Sequence, residues 1–210
     1  MRIHEVFESV QGEGIWLGMP SFFIRVAGCN LRCGWCDTLR ARVARGADEC
    51  SVEEVLWRAK QAVPRHVVIT GGEPTLYPEE LVELCRALRR AGKIVTVETN
   101  ATRFVDCNAH LVSLSPKRQA WNHDVIEAYC TKAARVQIKL VAGRAREAEE
   151  MWERVAGLKV AREQVFVMPR ARSRDEHERV AEELIPWCVA HDVRFAVRAQ
   201  TLLWNNAAGR

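Results

Sequence analysis

The stretch FIRVAGCNLRCGWCDT (residues 23–38) joins an apolar, β-rich run to three closely spaced cysteines. Cys29, Cys33 and Cys36 follow one another at the spacing C-x3-C-x2-C, and the next cysteine, Cys50, lies fourteen residues beyond Cys36. A closed structural metal site takes four protein ligands. Three thiols in one loop after a strand therefore suggest a metal centre whose last ligand comes from outside the protein.

Six further runs of β-forming residues follow this first strand along the chain. The predicted strands are SFFIRVA (21–27), HVVIT (66–70), KIVTVET (93–99), LVSLS (111–115), VQIKLV (136–141), QVFVM (164–168) and RFAVR (194–198). Helical patterns lie between several of them. Strands that alternate with helices predict an α/β fold with a parallel sheet that is buried on both faces.

Several of the predicted helices have clear end signals. An S-x-x-E capping box begins one helix at Ser51, and Pro64 ends it. A second helix is predicted from Pro78, a favourable first-turn residue, to Gly92. Further helices are predicted over 123–134, 144–157 and 174–190. Pro186 is expected to kink or shorten the last of these.

The number of strands limits the type of barrel. Seven strands in 210 residues fall short of a closed eight-fold barrel, which usually takes about 250 residues. We therefore predict a partial, open and shortened TIM-like β/α barrel. No linker, repeat or low-complexity tract interrupts the sequence, so residues 1–210 are expected to form a single domain.

Residues that could take part in binding or catalysis lie at the ends of four of the predicted strands. Active sites in such folds lie at the carboxyl ends of the strands. The residues in that position are Cys29, the GGEP segment (71–74), Glu98 with Asn100, and the SPK segment (115–117). We expect these segments to converge on one rim of the sheet.

Composition excludes several classes of protein. Apolar residues make up 48% and charged residues 28%, which is typical of a globular domain. The net charge of +4 is mild and the arginines are spread along the chain, which argues against nucleic acid as the primary partner. MRIHEVFESV (1–10) lacks the apolar core of a signal peptide, and no apolar run approaches the roughly 18 residues that span a membrane. We expect a soluble, cytoplasmic protein with reduced thiols and no membrane partner.

The other five cysteines are scattered and are predicted to be core residues. They are Cys50, Cys85, Cys107, Cys130 and Cys188. Cys85, for example, continues an i, i+3, i+4, i+7 stripe with Leu81, Leu84 and Leu88.

Three kinds of centre can be considered for the clustered cysteines. A structural zinc site needs four ligands, and the six histidines form no H-x3-H or H-E-x-x-H pattern. A redox C-x-x-C pair of Cys33 and Cys36 leaves Cys29 unused. Clustered thiolates without histidine suit an iron–sulfur cluster, and a cubane held by three cysteines keeps one iron open to an exogenous ligand. The iron–sulfur cluster is favoured, and zinc remains the alternative.

The cysteine spacing, with Trp35 just before the last cysteine, resembles the radical S-adenosylmethionine superfamily. TGGEP (70–74), one β/α unit later, resembles the second hallmark of that superfamily. The resemblance implies a [4Fe–4S] cluster held by Cys29, Cys33 and Cys36, with S-adenosyl-L-methionine chelating the unique iron. It also implies that an electron from the reduced cluster cleaves this cofactor to a 5′-deoxyadenosyl radical, which abstracts hydrogen from the substrate.

A narrower resemblance spans nearly the whole chain. It is carried by VQGEG (10–14), FIRVAGCNLRCGWCDT (23–38), TGGEP (70–74), VETN (97–100), LSPK (114–117) and LLWNN (202–206). These segments resemble the 7-carboxy-7-deazaguanine synthase family. Its members contract the ring of 6-carboxy-5,6,7,8-tetrahydropterin with loss of ammonia, on the route to queuosine and other 7-deazapurines. The resemblance implies a radical lyase that uses Mg²⁺, forms a homodimer and takes electrons from a donor such as flavodoxin.

The resemblance also implies which residues contact the cofactor and the metal. The implied cofactor contacts are Trp35, Cys36, Asp37, Gly72, Glu73, Glu98, Asn100, Ser115, Pro116, Lys117, Met168 and Pro169. Thr38 is the implied Mg²⁺ ligand, and a hydroxyl is an acceptable hard oxygen donor. The TGGEP glycines let backbone carbonyls approach the methionine ammonium, with Glu73 as a negative partner. Without the resemblance, Trp35 is a packing residue of the loop and Met168 is an ordinary core residue.

Substrate contacts are implied for a second set of residues. They are Val10, Gln11, Gly12, Glu13, Arg25, Thr70 and Arg210. A carboxylate such as Glu13 can accept paired hydrogen bonds from an amino-pyrimidinone edge, although a plain hairpin turn also explains QGEG (11–14). Arg25 lies inside an apolar strand and suits a substrate carboxylate; the alternative is a solvent-facing edge position. Arg210 is expected to reach the substrate with its terminal carboxylate.

The chain departs from the family pattern at three places. The family commonly has glycine after E-T-N, whereas this chain has Ala101, which disfavours a tight turn there. NAAGR (206–210) replaces a basic tail, and VMPRARSRDEH (167–177) has no clear match.

Two other functions fit the cysteine motif. One is the activation of a partner protein by installing a glycyl radical, and the other is a non-catalytic, zinc-binding module. The QGEG and SPK segments favour the small-molecule enzyme.

Overall fold

The computed structural model describes residues 1–205, 207 and 209, and in this part of the chain it shows one nine-stranded sheet with seven helices. The strands are β1 (Arg2–Val10), β2 (Pro20–Val26), β3 (Asp48–Glu49), β4 (His66–Gly71), β5 (Ile94–Thr99), β6 (Leu111–Leu114), β7 (Val136–Ala142), β8 (Val165–Pro169) and β9 (Arg194–Phe195). The helices are α1 (Leu39–Arg42), α2 (Val52–Gln61), α3 (Pro78–Arg90), α4 (His123–Lys132), α5 (Ala145–Val155), α6 (Arg174–His191) and α7 (Ala199–Trp204).

The sheet is mostly parallel and open. Its strand order is β3-β1-β2-β4-β5-β6-β7-β8-β9. Every pairing from β2 to β9 is parallel, whereas β1 pairs antiparallel with both β2 and β3. The end strands β3 and β9 do not pair with each other within the described residues, so the barrel is not closed. The predicted α/β fold, an open and shortened barrel with parallel strands, is confirmed.

All seven predicted strands are present, although the last is reduced to Arg194–Phe195. Strand β1 was not predicted. A register shift between Ile3 and Glu5 interrupts its pairing with β2, and few of its residues are fully buried. Without a steady apolar alternation, the usual sequence signal of a strand is missing.

The core lies on both faces of the parallel strands. All seven residues of β7 are buried, and Leu81, Leu84 and Leu88 of α3 are fully buried against the sheet. Burying one such leucine contributes about 2 kcal/mol.

The scattered cysteines belong to this core, as predicted. Cys50, Cys85, Cys107 and Cys188 are buried in it, and Cys130 packs against it from a partly buried position. None of the eight cysteines forms a disulfide.

The helix ends follow the sequence signals, with one exception. In α2 the Glu54 amide donates to Ser51 Oγ over 3.2 Å and the Ser51 amide donates to Glu54 Oε2 over 2.8 Å, which confirms the capping box. Helix α6, however, is not shortened by Pro186 and runs on to His191. Pro186 is exposed, so water can satisfy the carbonyl that its missing N–H frees, while the buried Trp187 holds the next turn in the core. No helix in the described part of the chain is long and apolar enough to cross a membrane.

Candidate active site

One cavity of about 640 Å³ opens where the parallel strands end. Most of the residues selected from the sequence lie in its wall: Val10, Gln11, Gly12, Glu13, Arg25, Cys29, Cys33, Trp35, Cys36, Asp37, Thr38, Thr70, Gly72, Glu73, Glu98, Asn100, Ser115, Lys117 and Met168. Segments far apart in the sequence meet there because parallel strands share one carboxyl-terminal rim. The expected convergence is therefore present in the structure.

Two of the selected residues are not brought to this cavity. Pro116 and Pro169 are buried but lie outside its wall. Successive side chains of an extended segment point to opposite sides, so when Met168 faces the cavity its neighbour Pro169 faces away. Arg210 lies outside the described residues, so its expected contact with the substrate stays a prediction.

The cysteine loop (residues 28–38) begins two residues after β2 ends. The Gly28 amide donates to the Ala41 carbonyl over 2.8 Å, and the Cys36 amide donates to the Cys33 carbonyl over 3.2 Å. Three N–H donors point at the thiols: the Leu31 amide and Asn100 Nδ2 lie 3.4 and 3.9 Å from Cys29 Sγ, and Gln119 Nε2 lies 3.7 Å from Cys33 Sγ. Burial raises the pKa of the Cys29 thiol.

The donor set fits an iron–sulfur cluster better than a single metal ion. Within residues 1–205, 207 and 209, no three His, Cys, Asp or Glu side chains converge as they would around one ion. A cubane is larger, and each cysteine binds a different iron, so its thiolates need not meet at one point. The N–H groups near Cys29 and Cys33 also match the hydrogen bonds that cluster sulfurs commonly accept. Cys29, Cys33 and Cys36 are therefore suited to hold such a cluster.

The TGGEP segment packs directly on the cysteine loop. The Gly72 amide donates to the Val26 carbonyl over 2.9 Å, and the Glu73 amide donates to the Gly28 carbonyl over 2.8 Å. Gly71 has φ +125°, and a Cβ atom at Gly72 would overlap the Gly28 carbonyl oxygen. Only glycine permits this backbone approach.

Glu73 joins the TGGEP segment to the end of β5. Its carboxylate accepts from the Thr75 amide (3.0 Å), Thr75 Oγ1 (2.7 Å), Thr99 Oγ1 (2.7 Å) and the Asn100 amide (2.7 Å). Burial raises the pKa of Glu73, and these hydrogen bonds oppose the rise. Three of the four donors bind Oε1, so Oε2 has more capacity left to accept a hydrogen bond from a cofactor ammonium.

The tight turn after VETN is present although glycine is absent. Ala101 has φ +58°, in the left-handed region, and its methyl group is fully buried. The Thr102 amide and hydroxyl both donate to Asn100 Oδ1, over 3.0 and 2.6 Å. The expectation that Ala101 disfavours this turn is therefore wrong, because the side-chain bonds of Asn100 and Thr102 hold the turn against the conformational cost at Ala101.

Glu13 in the QGEG turn is surrounded by donors. Lys139 Nζ lies 2.6 Å from Glu13 Oε2, while Gln200 Nε2 and Arg198 Nε lie 2.7 and 3.2 Å from Oε1. Burial opposes the ionisation of Glu13, but the charges of Lys139 and Arg198 outweigh it and lower the pKa of Glu13. Glu13 is thus held ionised, and Oε2 keeps capacity to accept one further hydrogen bond.

Lys139 also binds Glu98, so one cation connects two segments of the wall. Its Nζ lies 3.2 Å from Glu98 Oε1, and Thr70 Oγ1 donates to Glu98 Oε2 over 2.9 Å. Burial alone would lower the pKa of Lys139, but the charges of Glu13 and Glu98 outweigh it and raise the pKa. At neutral pH Lys139 is therefore a fixed cation and not a base.

Lys139, Arg198 and Gln200 are not among the residues selected from the sequence. The signal that identified Arg25, a charge inside an apolar strand, applies equally to Lys139 in VQIKLV (136–141). Gln200 carries no comparable signal.

Arg25 lines the cavity from strand β2. Its Nε lies 2.7 Å from Glu5 Oε1, its guanidinium lies over the Phe7 ring, and its side chain is 18% exposed. Arg25 is therefore neither unpaired nor at a solvent-facing edge. Within the described residues its guanidinium makes no second side-chain hydrogen bond, which leaves the two terminal nitrogens for a carboxylate ligand.

The SPK segment places a cation against the cysteine loop. Lys117 Nζ lies 2.7 Å from Ser115 Oγ and 5.2 Å from the centre of the Trp35 ring. Burial lowers the pKa of Lys117. Arg170, which is not among the residues selected from the sequence, also lies over the Trp35 ring, and Met168 belongs to the apolar cluster against which Trp35 packs.

Asp37 and Thr38 end the cysteine loop. Thr38 Oγ1 donates to Asp37 Oδ1 over 2.9 Å, and Asp37 Oδ2 forms an ion pair with Arg198. Two hard oxygen donors thus lie side by side at the cavity, which suits a magnesium ligand at Thr38.

The fold and these motifs define a class of protein. Residues 23–115 match the radical SAM superfamily, and this span contains the cysteine loop, TGGEP, VETN and the beginning of SPK. The match covers the part of the sheet from β2 to β6, where the thiols and the glycine-rich segment meet.

The full chain places the protein within that class. It is 35% identical to the 7-carboxy-7-deazaguanine synthase of Pyrobaculum aerophilum over 100% of this chain and 97% of that protein. It is 33% identical to the 7-carboxy-7-deazaguanine synthase of Rhodopirellula baltica over 100% of this chain and 88% of that protein. The crystal structure of QueE from Escherichia coli matches with a TM-score of 0.71 at 29% identity, over 94% of this chain and 93% of that one. The chain belongs to the 7-carboxy-7-deazaguanine synthase family.

Proposed function

We propose that the chain catalyses the synthesis of 7-carboxy-7-deazaguanine, for which its relatives are named. In this reaction, 6-carboxy-5,6,7,8-tetrahydropterin undergoes a radical ring contraction with loss of ammonia, which makes the enzyme a carbon–nitrogen lyase. The product serves the formation of 7-deazapurines such as queuosine. The observation that carries the proposal is the juxtaposition, in one cavity, of three thiols that can hold a cluster and a ring of polar groups suited to a small polar heterocycle.

The cofactor end of the cavity is assigned to residues of the cysteine loop and the neighbouring strand ends. Cys29, Cys33 and Cys36 would hold a [4Fe–4S] cluster. A cluster held there would supply the electron for reductive cleavage of bound S-adenosyl-L-methionine. Gly72 and Glu73 would receive the methionine ammonium, because both line the cavity and Glu73 Oε2 has unused acceptor capacity.

Three side chains near the SPK segment are assigned to the remainder of this cofactor. Trp35 offers a flat face, and Met168 belongs to the apolar cluster against which it packs. Lys117 lies against the same ring with its amino group on Ser115 Oγ, 2.7 Å away. This arrangement suits a ligand that presents an adenine ring together with a carboxylate.

The substrate end is assigned to Glu13, Arg25 and Glu98. The resemblance implied that Glu98 contacts the cofactor, and we reassign it because it shares Lys139 with Glu13. The carboxylates of Glu13 and Glu98 are mostly buried acceptors, and the charged amino group of Lys139 forms an ion pair with each of them. They would accept hydrogen bonds from the amino-pyrimidinone edge of the pterin. Arg25, with two uncommitted nitrogens, would bind the pterin carboxylate as a bidentate partner. Gln11 and Thr70 complete this part of the wall.

The activity is tested with anaerobically reconstituted protein, S-adenosyl-L-methionine, Mg²⁺, a chemical reductant and the tetrahydropterin. We expect a brown, oxygen-sensitive protein with about four irons and three thiolate ligands. Mass spectrometry should detect 7-carboxy-7-deazaguanine, and turnover should rise strongly when Mg²⁺ is added. Formation of 5′-deoxyadenosine alone, with the pterin unchanged, would contradict the assignment. Zinc without iron in protein prepared anaerobically would select the binding module instead.

Further properties of the enzyme follow from the same assignment. Thr38 would supply a protein ligand to Mg²⁺, with substrate and water as the others. The cytoplasm is the proposed location, where a donor such as flavodoxin would reduce the cluster. The proposed assembly is a homodimer, so sedimentation equilibrium should give a mass of twice the 23.9 kDa of one chain.

A further inference from the structure

Arg198 is a buried cation between β9 and α7 that connects three separate segments. Its side chain is 5% exposed. Nε lies 3.2 Å from Glu13 Oε1, Nη1 donates to the Ala171 carbonyl over 2.6 Å, and Nη2 forms an ion pair with Asp37. Its three guanidinium nitrogens thus bind the QGEG turn, the segment after β8 and the cysteine loop.

The backbone around Arg198 holds the side chain in this position. The Arg198 amide donates to His177 Nε2 over 3.2 Å, and the next amide, of Ala199, donates to the Gly12 carbonyl over 3.0 Å. Burial lowers the pKa of His177, which therefore stays neutral at pH 7 and can accept this hydrogen bond. The QGEG turn is consequently held from two sides, by the Arg198 guanidinium and by the backbone at Ala199.

The two carboxylates that Arg198 binds face different ligands. Glu13 belongs to the part of the cavity assigned to the pterin, and Asp37 follows Cys36 in the part assigned to the cluster and its cofactor. Glu13 has a second cation, Lys139. Asp37 has no cation other than Arg198 within the described residues.

We propose that Arg198 is a positioning residue that couples the QGEG turn to the cysteine loop, so that a ligand bound at one raises affinity at the other. The proposal rests on the proposed function. Binding of the pterin to the QGEG turn would fix Glu13 and hence the guanidinium, which in turn fixes Asp37. S-adenosyl-L-methionine would then bind a cysteine loop that the pterin has already ordered, so its binding would lose less conformational entropy.

The coupling is measured by calorimetry on the cluster-loaded protein with the cluster oxidised, a state in which no turnover occurs. The affinity for S-adenosyl-L-methionine is determined without and with saturating 6-carboxy-5,6,7,8-tetrahydropterin at constant Mg²⁺. We expect the pterin to tighten cofactor binding about fivefold or more in the unsubstituted protein. In Arg198→Gln the two affinities should agree within about twofold, because the link between the loops is removed.

Two variants separate this role from general support of the loop. Arg172→Gln is the matched control, since Arg172 Nη2 donates to the Gly34 carbonyl of the same cysteine loop without binding Glu13. It should weaken cofactor binding with and without pterin alike and leave the coupling intact. Arg198→Lys retains the charge but not the fork of donors, and should recover only part of the coupling.

Amide hydrogen exchange tests the same link without any pterin. Arg198→Gln should speed exchange in residues 10–14 and 30–38 together, whereas Arg172→Gln should affect only 30–38. Equal loss of coupling in both variants, or unchanged coupling in Arg198→Gln, would overturn the proposal. If the unsubstituted protein fails to bind the pterin, the proposed function fails and this proposal falls with it. Binding without any effect on the cofactor rejects the coupling alone.

Discussion

Lys139 shows how one buried charge organises the candidate site. It lies in the fully buried strand β7 and its amino group binds both Glu13 and Glu98. A single buried ion would be costly, and the pairing removes most of that cost. Glu13 consequently remains ionised in a wall whose burial would otherwise raise its pKa.

Replacement of Lys139 by methionine should destabilise the protein by about 3 kcal/mol at pH 7. The variant removes the positive charge that Lys139 places beside Glu13 and Glu98, so the pKa of Glu13 should rise. In the unsubstituted protein the pKa of Glu13 is lowered, so its ionised carboxylate stabilises the folded state. This stabilisation is complete above the usual glutamate pKa of about 4.3 and is lost as the pH falls below that value. The difference in unfolding free energy between the two proteins should therefore persist from pH 7 to about pH 5 and shrink as the pH falls below about 4.3, as measured by urea denaturation over a pH series. Lys60→Met, at an exposed position of α2, is the control and should change stability by less than about 0.5 kcal/mol.

The thiols differ in role according to where they lie. Cys33→Ala should abolish the iron–sulfur absorbance after anaerobic reconstitution, because one of three ligands is lost. Cys85→Ala, in the core of α3, should keep the cluster and cost only about 1 kcal/mol of packing. Iron analysis and visible absorbance distinguish the two. Equal loss of iron in both variants would mean that the ligands are wrongly assigned.

At the scale of elements, the site depends on loops that touch through their backbones. TGGEP packs on the cysteine loop at Gly72, and Glu73 ties it to the end of β5. The strands bring these segments to one rim, and the contacts between loops then set the positions of individual side chains. Ala101 illustrates the strength of this network, since the turn persists without glycine.

Gly72→Ala should weaken this contact between elements. The new Cβ atom would overlap the Gly28 carbonyl, so one of the two loops must move, at a cost of about 2–3 kcal/mol. Affinity for S-adenosyl-L-methionine should fall at the same time. Gly34→Ala offers a matched control in the cysteine loop, because a Cβ atom there meets nothing within 4 Å. A similar loss in both variants, measured by denaturation and calorimetry, would argue against the close approach at Gly72.

At the scale of the whole molecule, one core connects both ends of the sheet. The buried cluster runs from Ile3 in β1 to Val193 beside β9 and includes residues of α2, α3, α4, α5 and α6. No element of the described chain is separated from it by a linker. Such a continuous core favours folding as one unit.

The cluster-free, reduced protein should therefore unfold in one cooperative transition in urea. Circular dichroism and tryptophan fluorescence should give the same midpoint. Fluorescence reports on the whole chain because the seven tryptophans are spread along it, at Trp16, Trp35, Trp57, Trp121, Trp152, Trp187 and Trp204. Two separate midpoints would contradict the single domain proposed for residues 1–210.

The sequence by itself determined the alternation of strands and helices along the chain, and it determined the local motifs. Strand and helix periodicity, the capping box at Ser51 and the cysteine spacing each depend on neighbouring residues, so all seven parallel strands and the rim of the site could be predicted. Strand β1 was not predictable in this way, because apolar and polar residues do not alternate regularly along RIHEVFESV (2–10).

Only the tertiary structure decided which charges meet inside the cavity. Lys139 and Glu13 are 126 residues apart, and Arg198 and Asp37 are 161 apart. Whether such groups pair depends on which side of each segment faces the cavity, and periodicity within one segment does not determine how it is placed against another. The same reason explains why Pro116 and Pro169 lie outside the wall while their sequence neighbours line it.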